Sequence, residues 1–148
     1  MEDKFKVHGA VTLVLQNDKG VATAFRHNNM ILNGGIDFLC NAFGSSSRPA
    51  IMNYIAVGTG TTTVAATDTK LVTELLRKTC TYSHTAGTTR MALTATFDKG
   101  EATGAITEAG ICNASTGGAF FDRVVFPVIN KGASDVLTVT FEITLTRA

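Results

Sequence analysis

The sequence predicts one all-β domain over residues 1–148, a jelly-roll-like β-sandwich of about eight strands with one short helix. Three observations predict this fold class. Apolar and polar residues alternate over several short runs, glycine-containing turns separate the runs, and β-branched threonine is frequent within them. Many short strands with turns between them are typical of sandwiches, jelly rolls and barrels. A chain of 148 residues with 45% apolar residues is long enough for one core.

The first predicted element is a β-hairpin near the amino terminus. Apolar residues alternate with other residues from Val7 to Leu15, which is the period of a strand. The turn Asn17-Asp18-Lys19-Gly20 follows, and a second strand resumes over residues 21–26. Asn and Asp tolerate turn geometry and Gly supplies a positive φ, so the two strands are expected to pair.

Residues 33–43 break the β pattern and predict one short helix. Four apolar residues recur there at helical spacing: Ile36, Leu39, Cys40 and Phe43. Asp37 lies near the predicted start, where the helix dipole favours an anion. Residues 67–71 are compatible with a second helical turn, capped by Thr67 or Asp68.

The remaining strands are predicted from the same alternation. The clearest is residues 137–146, where apolar residues alternate with four threonines and one glutamate. Residues 90–98 alternate in the same way, and residues 76–85 are predicted to be their hairpin partner. Three further strands are expected, at residues 53–57, 105–113 and 119–129.

Charge and hydropathy indicate a chain that needs a partner. Charged residues make up 17% of the sequence, against about 25% in an average soluble domain, and the mean hydropathy is +0.19. We expect oligomerisation or docking to cover the surplus apolar surface. The 13 Lys and Arg residues are spread thinly, which argues against a nucleic-acid partner. The sequence has no apolar stretch of membrane-spanning length and no secretory signal, so no membrane partner is expected.

The sequence patterns that usually mark a cofactor or metal site are missing, and we predict that the protein carries neither. The three cysteines, Cys40, Cys80 and Cys112, are far apart and are interpreted as buried, reduced thiols. Residues 58–61, Gly-Thr-Gly-Thr, lack the lysine of a phosphate-binding loop and are better explained as a turn after a strand.

Residue types that perform acid–base chemistry are present but isolated, and we predict that the protein is not an enzyme. The three histidines, His8, His27 and His84, lie in or at the ends of different predicted strands. Glu101 and Glu108 are separated by a turn that contains Gly104, so their spacing fixes no distance for acid–base catalysis.

Three blocks of sequence, in order along the chain, carry a family resemblance. The first is His27-Asn28-Asn29-Met30-Ile31 followed by Gly34-Gly35-Ile36-Asp37-Phe38-Leu39. The second joins residues 55–61 to residues 66–71 and 74–77, and the third consists of positions between residues 97 and 140. Together they resemble bacteriophage virion structural proteins of the capsid cement or decoration type, related to tail-fibre-like phage β-sandwich proteins. The motif residues, which we predict to be structural, are His27, Asn28, Gly35, Asp37, Gly58, Gly60, Asp68, Thr69, Gly100, Glu101, Glu108 and Gly110.

The resemblance implies a capsid cement or decoration protein, which binds the outside of the mature shell and clamps neighbouring major capsid subunits. The implied partners are the major capsid protein and further copies of the chain, with a trimer slightly favoured over a dimer by analogy. The implied location is the capsid exterior of the virion, after synthesis in the host bacterial cytoplasm. A tail, fibre-base or adaptor component of the virion and a carbohydrate-binding β-sandwich module remain alternatives.

The candidate contacts with the capsid or with neighbouring copies lie outside the predicted strands, because loops usually carry binding. They fall in a possible N-terminal arm at residues 1–5 and in the loops around residues 45–53 and 58–66. The candidate residues are Met1, Lys4, Phe5, Arg48, Met52, Thr62 and Val64.

Overall fold

The computed structural model describes residues 2–148, which form nine strands and one helix. In chain order these are β1 (Phe5–Gln16), β2 (Ala22–Ile31), α1 (Asn33–Gly44), β3 (Tyr54–Gly58), β4 (Glu74–Thr79), β5 (Thr81–His84), β6 (Arg90–Phe97), β7 (Gly104–Cys112), β8 (Asp122–Lys131) and β9 (Val136–Arg147). Neighbouring strands pair in antiparallel fashion. The predicted all-β sandwich with one short helix is confirmed, with nine strands in place of about eight.

The strands form one sheet that folds into two layers around a shared core. The strand order is β4-β3-β7-β8-β2-β1-β9-β6-β5. The first four strands of this order form a four-stranded layer, and the other five form a five-stranded layer. The layers join where β2 meets β8, through the residue pairs Met30–Arg123 and Ile31–Asp122. They meet again at Cys80, which separates β4 from β5, so the sandwich is nearly a closed barrel.

The alternation of apolar and polar residues determines which side of each strand is buried. Along β9, Leu137, Val139 and Phe141 are fully buried, whereas the threonines between them are only partly buried. Thr140 shares a side-chain hydrogen bond of 3.1 Å with Thr94 on β6. Cross-strand pairs of this kind contribute roughly 0.2–1 kcal/mol each. The apolar side of β9 belongs to a core that draws residues from both layers, which holds the sandwich together.

Helix α1 follows β2 directly and packs against the segment before β8. The backbone N–H of Leu32 donates to the carbonyl of Phe121 at 3.0 Å. Gly35 lies so close to the same carbonyl that an added Cβ would overlap it. The absence of a side chain at Gly35 therefore sets how closely α1 approaches the sheet.

Two predictions for residues 67–85 need correction. The predicted pairing of residues 76–85 with β6 is confirmed for β5 (Thr81–His84), but residues 76–79 belong to β4, which pairs with β3, because the chain crosses between the layers at Cys80. Residues 67–71 are not helical. The Asp68 side chain accepts hydrogen bonds from the Ala65 N–H and from Arg123, which holds this segment in an irregular loop.

Two predictions at the ends of elements are also wrong. Asp37 lies in the second turn of α1, beyond the reach of the dipole at the helix start, and accepts a hydrogen bond from Asn41 Nδ2 at 3.0 Å. Residues 4 and 5 are not a free arm, because Phe5 begins β1 and the Lys4 carbonyl accepts the N–H of Ala148 at 2.8 Å. Met1 lies outside the described residues.

A buried lysine closes one end of the sandwich. Lys131 Nζ donates to the carbonyls of Asp98 at 3.0 Å and Asp135 at 2.7 Å, and so joins the β6–β7 turn to the β8–β9 turn. Burial lowers the pKa of Lys131. Beside it, Lys78 Nζ lies 2.6 Å from Glu101 Oε2, a hydrogen bond that raises the pKa of Lys78 and lowers that of Glu101. We call this region the closed end.

Candidate functional site

Buried charges tie the loop between β3 and β4 (residues 59–73, the β3–β4 loop) to the four-stranded layer. Glu108 on β7 and Arg123 on β8 are fully buried and form an ion pair, with 3.0 Å between Glu108 Oε2 and Arg123 Nε. Arg123 Nη1 lies 2.9 Å from Asp68 Oδ2, which belongs to the loop. We call Asp68, Glu108 and Arg123 the loop anchor.

Glu108 accepts three backbone hydrogen bonds from the β3–β4 loop. The N–H groups of Gly60 and Thr73 donate to Oε1 at 3.0 Å and 2.7 Å, and the N–H of Val72 donates to Oε2 at 3.0 Å. These donors replace the water that the carboxylate loses on burial. The first and last parts of the loop are therefore held by one side chain.

Arg123 holds the middle of the same loop. Its Nη2 donates to the carbonyl of Thr62 at 2.9 Å, while its Nη1 donates to Asp68. Asp68 Oδ2 also accepts the N–H of Ala65 at 3.0 Å. A loop without regular secondary structure is thus fixed by side chains of the sheet beneath it.

Two glycines make room for the Glu108 carboxylate. A Cβ at Gly60 would lie 2.5 Å from Glu108 Oε1, and a Cβ at Gly58 would lie 2.7 Å from the same atom. A larger residue at either position would push the carboxylate away from its N–H donors. The structure therefore brings four of the predicted motif residues together in one network: Gly58, Gly60, Asp68 and Glu108.

The β3–β4 loop presents a polar surface beside β2. Thr61, Thr62 and Thr63 are exposed. An open cleft of about 490 Å³ lies between this part of the loop and residues 28–30, and Arg123 lines it as well. The exposed hydroxyl groups of residues 61–63 therefore lie beside this cleft, on a loop whose backbone is anchored.

Asp122 is a second buried acid, at the join between β2 and β8. Its Oδ1 accepts the N–H of Ile111 at 2.8 Å, and its Oδ2 lies against the side-chain amide of Asn29. Burial raises the pKa of Asp122 to about 8. The amide oxygen of Asn29 is buried without a hydrogen-bond partner among residues 2–148, and a protonated Asp122 can donate to it once the amide is turned. We therefore expect Asp122 to be a neutral acid at neutral pH.

The end of the sandwich opposite the closed end is open and apolar. A cavity of about 280 Å³ lies there, and side chains from α1 and from both layers line it, among them Phe38, Leu39, Met91 and Ile111. Ile51 and Tyr82 also line the cavity but are 72% and 58% exposed. Phe5, 79% exposed, lies two residues before the cavity residue Val7 on β1. We call the cavity together with Phe5, Ile51 and Tyr82 the apolar end.

The predicted contact residues do not form one surface. Lys4, Phe5 and Met52 lie at or beside the apolar end, Thr62 and Val64 lie in the β3–β4 loop, and Arg48 is exposed in the loop after α1. Val64 is half-buried against a small apolar cluster that contains Leu32 and Phe120, so Thr62 is the better contact candidate in its loop. Met1 cannot be placed, since it lies outside the described residues.

The other predicted motif residues have separate places in the fold. His27 stacks on Phe126 with 5.7 Å between the ring centroids, and Gly100 adopts a φ of 79° in the β6–β7 turn. A Cβ at Gly110 would lie 2.7 Å from the carbonyl of Asp122. Four motif residues are exposed: Asn28, Asp37, Thr69 and Gly100. Glu101 lies at the closed end and Glu108 in the loop anchor, so the structure does not bring the two carboxylates together.

Sequence reasoning missed the roles of three buried charged residues, Asp122, Arg123 and Lys131. A signal was present in the run Phe-Phe-Asp-Arg-Val-Val-Phe at residues 120–126, where two charged residues stand inside an apolar strand. Charges in such a run are either exposed by a local irregularity or buried with partners. The structure shows the second arrangement.

The cysteines are free and differ in exposure. Cys112 is buried, and burial raises its pKa to about 11; Cys80 is half-buried, and burial raises its pKa too. Cys40 is exposed on α1, so the prediction of a buried thiol is wrong at this position. Within residues 2–148, no group of three His, Cys, Asp or Glu side chains is placed to hold a metal ion.

Comparison with protein-family models, with curated proteins and with solved structures gives no significant match. In the described part of the chain, no helix has the length and apolar character needed to cross a bilayer. What the chain does must therefore be inferred from its own residues and geometry.

Proposed function

We propose that the chain is a non-enzymatic virion protein of the capsid cement or decoration type, and that its β3–β4 loop contacts the outer surface of neighbouring major capsid subunits. The observation that carries this proposal is the loop anchor. A flexible loop loses conformational entropy when it binds, and a loop already held in one conformation loses less. Glu108 and Arg123 hold the loop in this way within a single chain.

The family resemblance supports the same surface. Gly58, Gly60, Asp68 and Glu108 are motif residues, and each belongs to the loop anchor or makes room for it. Their common effect is to fix one exposed loop, which is expected where that loop binds a partner. The exposed residues 61–63 are the proposed contacts.

Mass action explains how such a protein strengthens a shell. A protein that binds the assembled shell but not its separated subunits stabilises the shell by about 2.7 kcal/mol per site at a hundredfold excess over Kd. Because the shell is symmetric, the same contact is repeated over its surface. Copies that are themselves joined bind more strongly than single copies, since the second contact becomes intramolecular.

The direct test is binding to phage capsids that lack this chain. Purified protein is added at increasing concentration, the capsids are sedimented, and the bound copies per capsid are counted. We expect saturation at a multiple of the symmetric sites of the shell, together with a higher capsid melting temperature. Binding of only a few copies, or location on isolated tails, would contradict a cement role and favour a tail component.

A matched pair of variants tests the loop itself. Thr62→Arg places a large charged side chain at the proposed contact and spares the anchor, which uses only the carbonyl of Thr62. Thr23→Arg makes the same change at an exposed position of β2. We expect Thr62→Arg to weaken capsid binding about tenfold or more, and Thr23→Arg to leave it unchanged. Equal binding of both variants would exclude the loop as the contact.

A further inference from the structure

We propose that the apolar end is a self-association surface, covered in solution by the apolar end of a second copy of the chain. This association requires no capsid. The two layers do not match in size, because the larger layer has five strands and the smaller has four. The fifth strand, β5, is the terminal strand of the sheet, and its four residues are all exposed.

The effect of the unequal strand numbers is seen in one row of side chains across the five-stranded layer. Val11, Phe141, Leu93 and Tyr82 occupy directly paired positions on β1, β9, β6 and β5, so they project from the same side of the layer. Their exposed fractions are 0%, 0%, 4% and 58%. Tyr82 therefore occupies a core position that the chain itself does not cover. An aromatic side chain exposed in this way is typical of a surface that a partner completes.

Phe5 and Ile51 extend the uncovered surface around the mouth of the cavity. Residues two apart on a strand project to the same side, so Phe5 lies on the side of β1 from which Val7 enters the cavity. The sequence of β5, Thr-Tyr-Ser-His, contains neither the lysine nor the proline that often protects an edge strand from pairing. Apolar side chains and an unprotected strand edge are thus presented together.

The size of the uncovered surface favours a protein over a small ligand. An apolar molecule that filled the cavity of about 280 Å³ would contact only the parts of Ile51 and Tyr82 that line it, and it would leave Phe5 exposed to water. A second apolar end covers both the cavity mouth and the three surrounding side chains. The low charge content of the chain, 17%, agrees with a surface that is normally covered.

Charges beside the apolar end favour a second copy over an anionic membrane. Such a membrane surface attracts clusters of basic residues. Here acids and bases are mixed at the start of β1 and the end of β9, with Arg147 Nη1 3.6 Å from Asp3 Oδ1 and Lys4 Nζ 3.5 Å from Glu2 Oε2. Both ion pairs are formed within the chain, so this end presents no cluster of unpaired basic residues to anionic lipid. The exposed strand β5 instead offers an edge that the same edge of a second copy can pair with.

The test is sedimentation equilibrium of the purified chain alone, from low to high micromolar concentration. Tyr82→Lys and Ile51→Lys place a charge in the proposed interface, the first on a strand and the second in a loop. Val21→Lys is the control, because Val21 is 61% exposed and lies at the β1–β2 turn, at the other end of β1 from Phe5. Circular dichroism and thermal unfolding establish that each variant is folded.

We expect the wild-type mass to rise with concentration to that of a dimer or a trimer. Each interface variant should raise the dissociation constant about tenfold or more, and the control should leave it unchanged. A wild-type monomer at every concentration, or an equal effect of all three substitutions, would overturn the inference. If the chain binds capsids but stays monomeric in solution, self-association is contradicted and the proposed function is supported. The two proposals can therefore fail separately.

Discussion

The loop anchor and the apolar end differ in whether their side chains find contacts within the same chain. In the anchor, Glu108 and Arg123 are charged and fully buried, yet both have their hydrogen-bond partners within the chain. At the apolar end, Phe5, Ile51 and Tyr82 are apolar and mostly exposed. Buried charges and exposed apolar patches are the informative departures from the usual distribution. The chain thus provides partners for these two buried charges but leaves an apolar surface exposed.

The loop anchor contributes to the specificity of the fold more than to its net stability. A buried ion pair is weak evidence for a net gain in stability, because desolvation offsets much of the attraction between the charges. Losing one partner is nevertheless costly, since the other charge stays buried. We therefore interpret the loop anchor as a device that selects one conformation of the β3–β4 loop.

Arg123→Met should have the largest effect on stability at neutral pH, because it breaks the loop anchor. It leaves the Glu108 carboxylate buried without its cation, and we expect the free energy of unfolding to fall by about 3–5 kcal/mol. Arg90→Met is the control: it removes an exposed arginine 3.6 Å from Glu142 and should cost less than about 1 kcal/mol. Urea unfolding measures both losses. Equal, small losses would show that the anchor does not stabilise the loop.

Asp122→Asn should remove a pH dependence of several kcal/mol. Burial raises the pKa of Asp122 from 3.8 to about 8, so the folded chain keeps a proton that the unfolded chain releases in that window. Stability should therefore fall as pH rises between these two values, by up to about 1.4 kcal/mol per pH unit from this group, and then level off. The groups that contact Asp122, the Ile111 N–H and the Asn29 amide, do not ionise.

Unfolding free energies of wild type, Asp122→Asn and Asp18→Asn across this pH range provide the measurement. Asp18 is exposed in the β1–β2 turn, so its variant should keep the wild-type slope. If Asp122→Asn has the same slope as the wild type, Asp122 is ionised in the folded protein and the neutral-acid interpretation is wrong.

Gly35→Ala should have a smaller effect, from overpacking. The added Cβ would overlap the carbonyl of Phe121, and forcing a methyl group into a filled site costs about 1–3 kcal/mol. Gly44→Ala, at the end of the same helix, meets no atom within 4 Å and should be neutral or slightly stabilising. Thermal unfolding compares them; equal melting temperatures would show that α1 can move away from the sheet at little cost.

Tyr82→Lys should have the smallest effect on the stability of the monomer. Its side chain lies at the apolar end, mostly in water, and surface substitutions usually change stability by less than about 0.5 kcal/mol. Unfolding must be measured at a concentration where the chain is monomeric, since association adds stability by mass action. A loss of several kcal/mol would mean that Tyr82 belongs to the core of the single chain.

The alternation of apolar and polar residues predicted the strands, because successive side chains of a strand point to opposite sides of the sheet and only one side is buried. It identified β9, β6 and the β1–β2 hairpin, and the change to helical spacing identified α1. It could not show that residues 76–85 pass from one layer to the other, because β4 and β5 are both extended and the change of partner at Cys80 leaves no mark in the pattern.

The candidate sites depended on contacts that local patterns do not encode. Gly58, Gly60, Asp68 and Glu108 were recognised as motif residues. The hydrogen bonds of the loop anchor, however, join residues that are far apart in the sequence. Thr73 and Glu108 are 35 positions apart, and Asp68 and Arg123 are 55 positions apart. The apolar end could not be predicted from the sequence for another reason. It results from unequal numbers of strands in the two layers, which only the pairing order reveals.

Hydrogen exchange at low and high protein concentration tests the central comparison most directly. The amides of Gly60, Val72 and Thr73 should be protected at both concentrations, because Glu108 accepts them within one chain. The amides on the outer edge of β5 should gain protection only at the high concentration, when a second copy covers the apolar end. Fast exchange of the three loop amides in the monomer, or protection of β5 that does not change as the chain associates, would contradict the account.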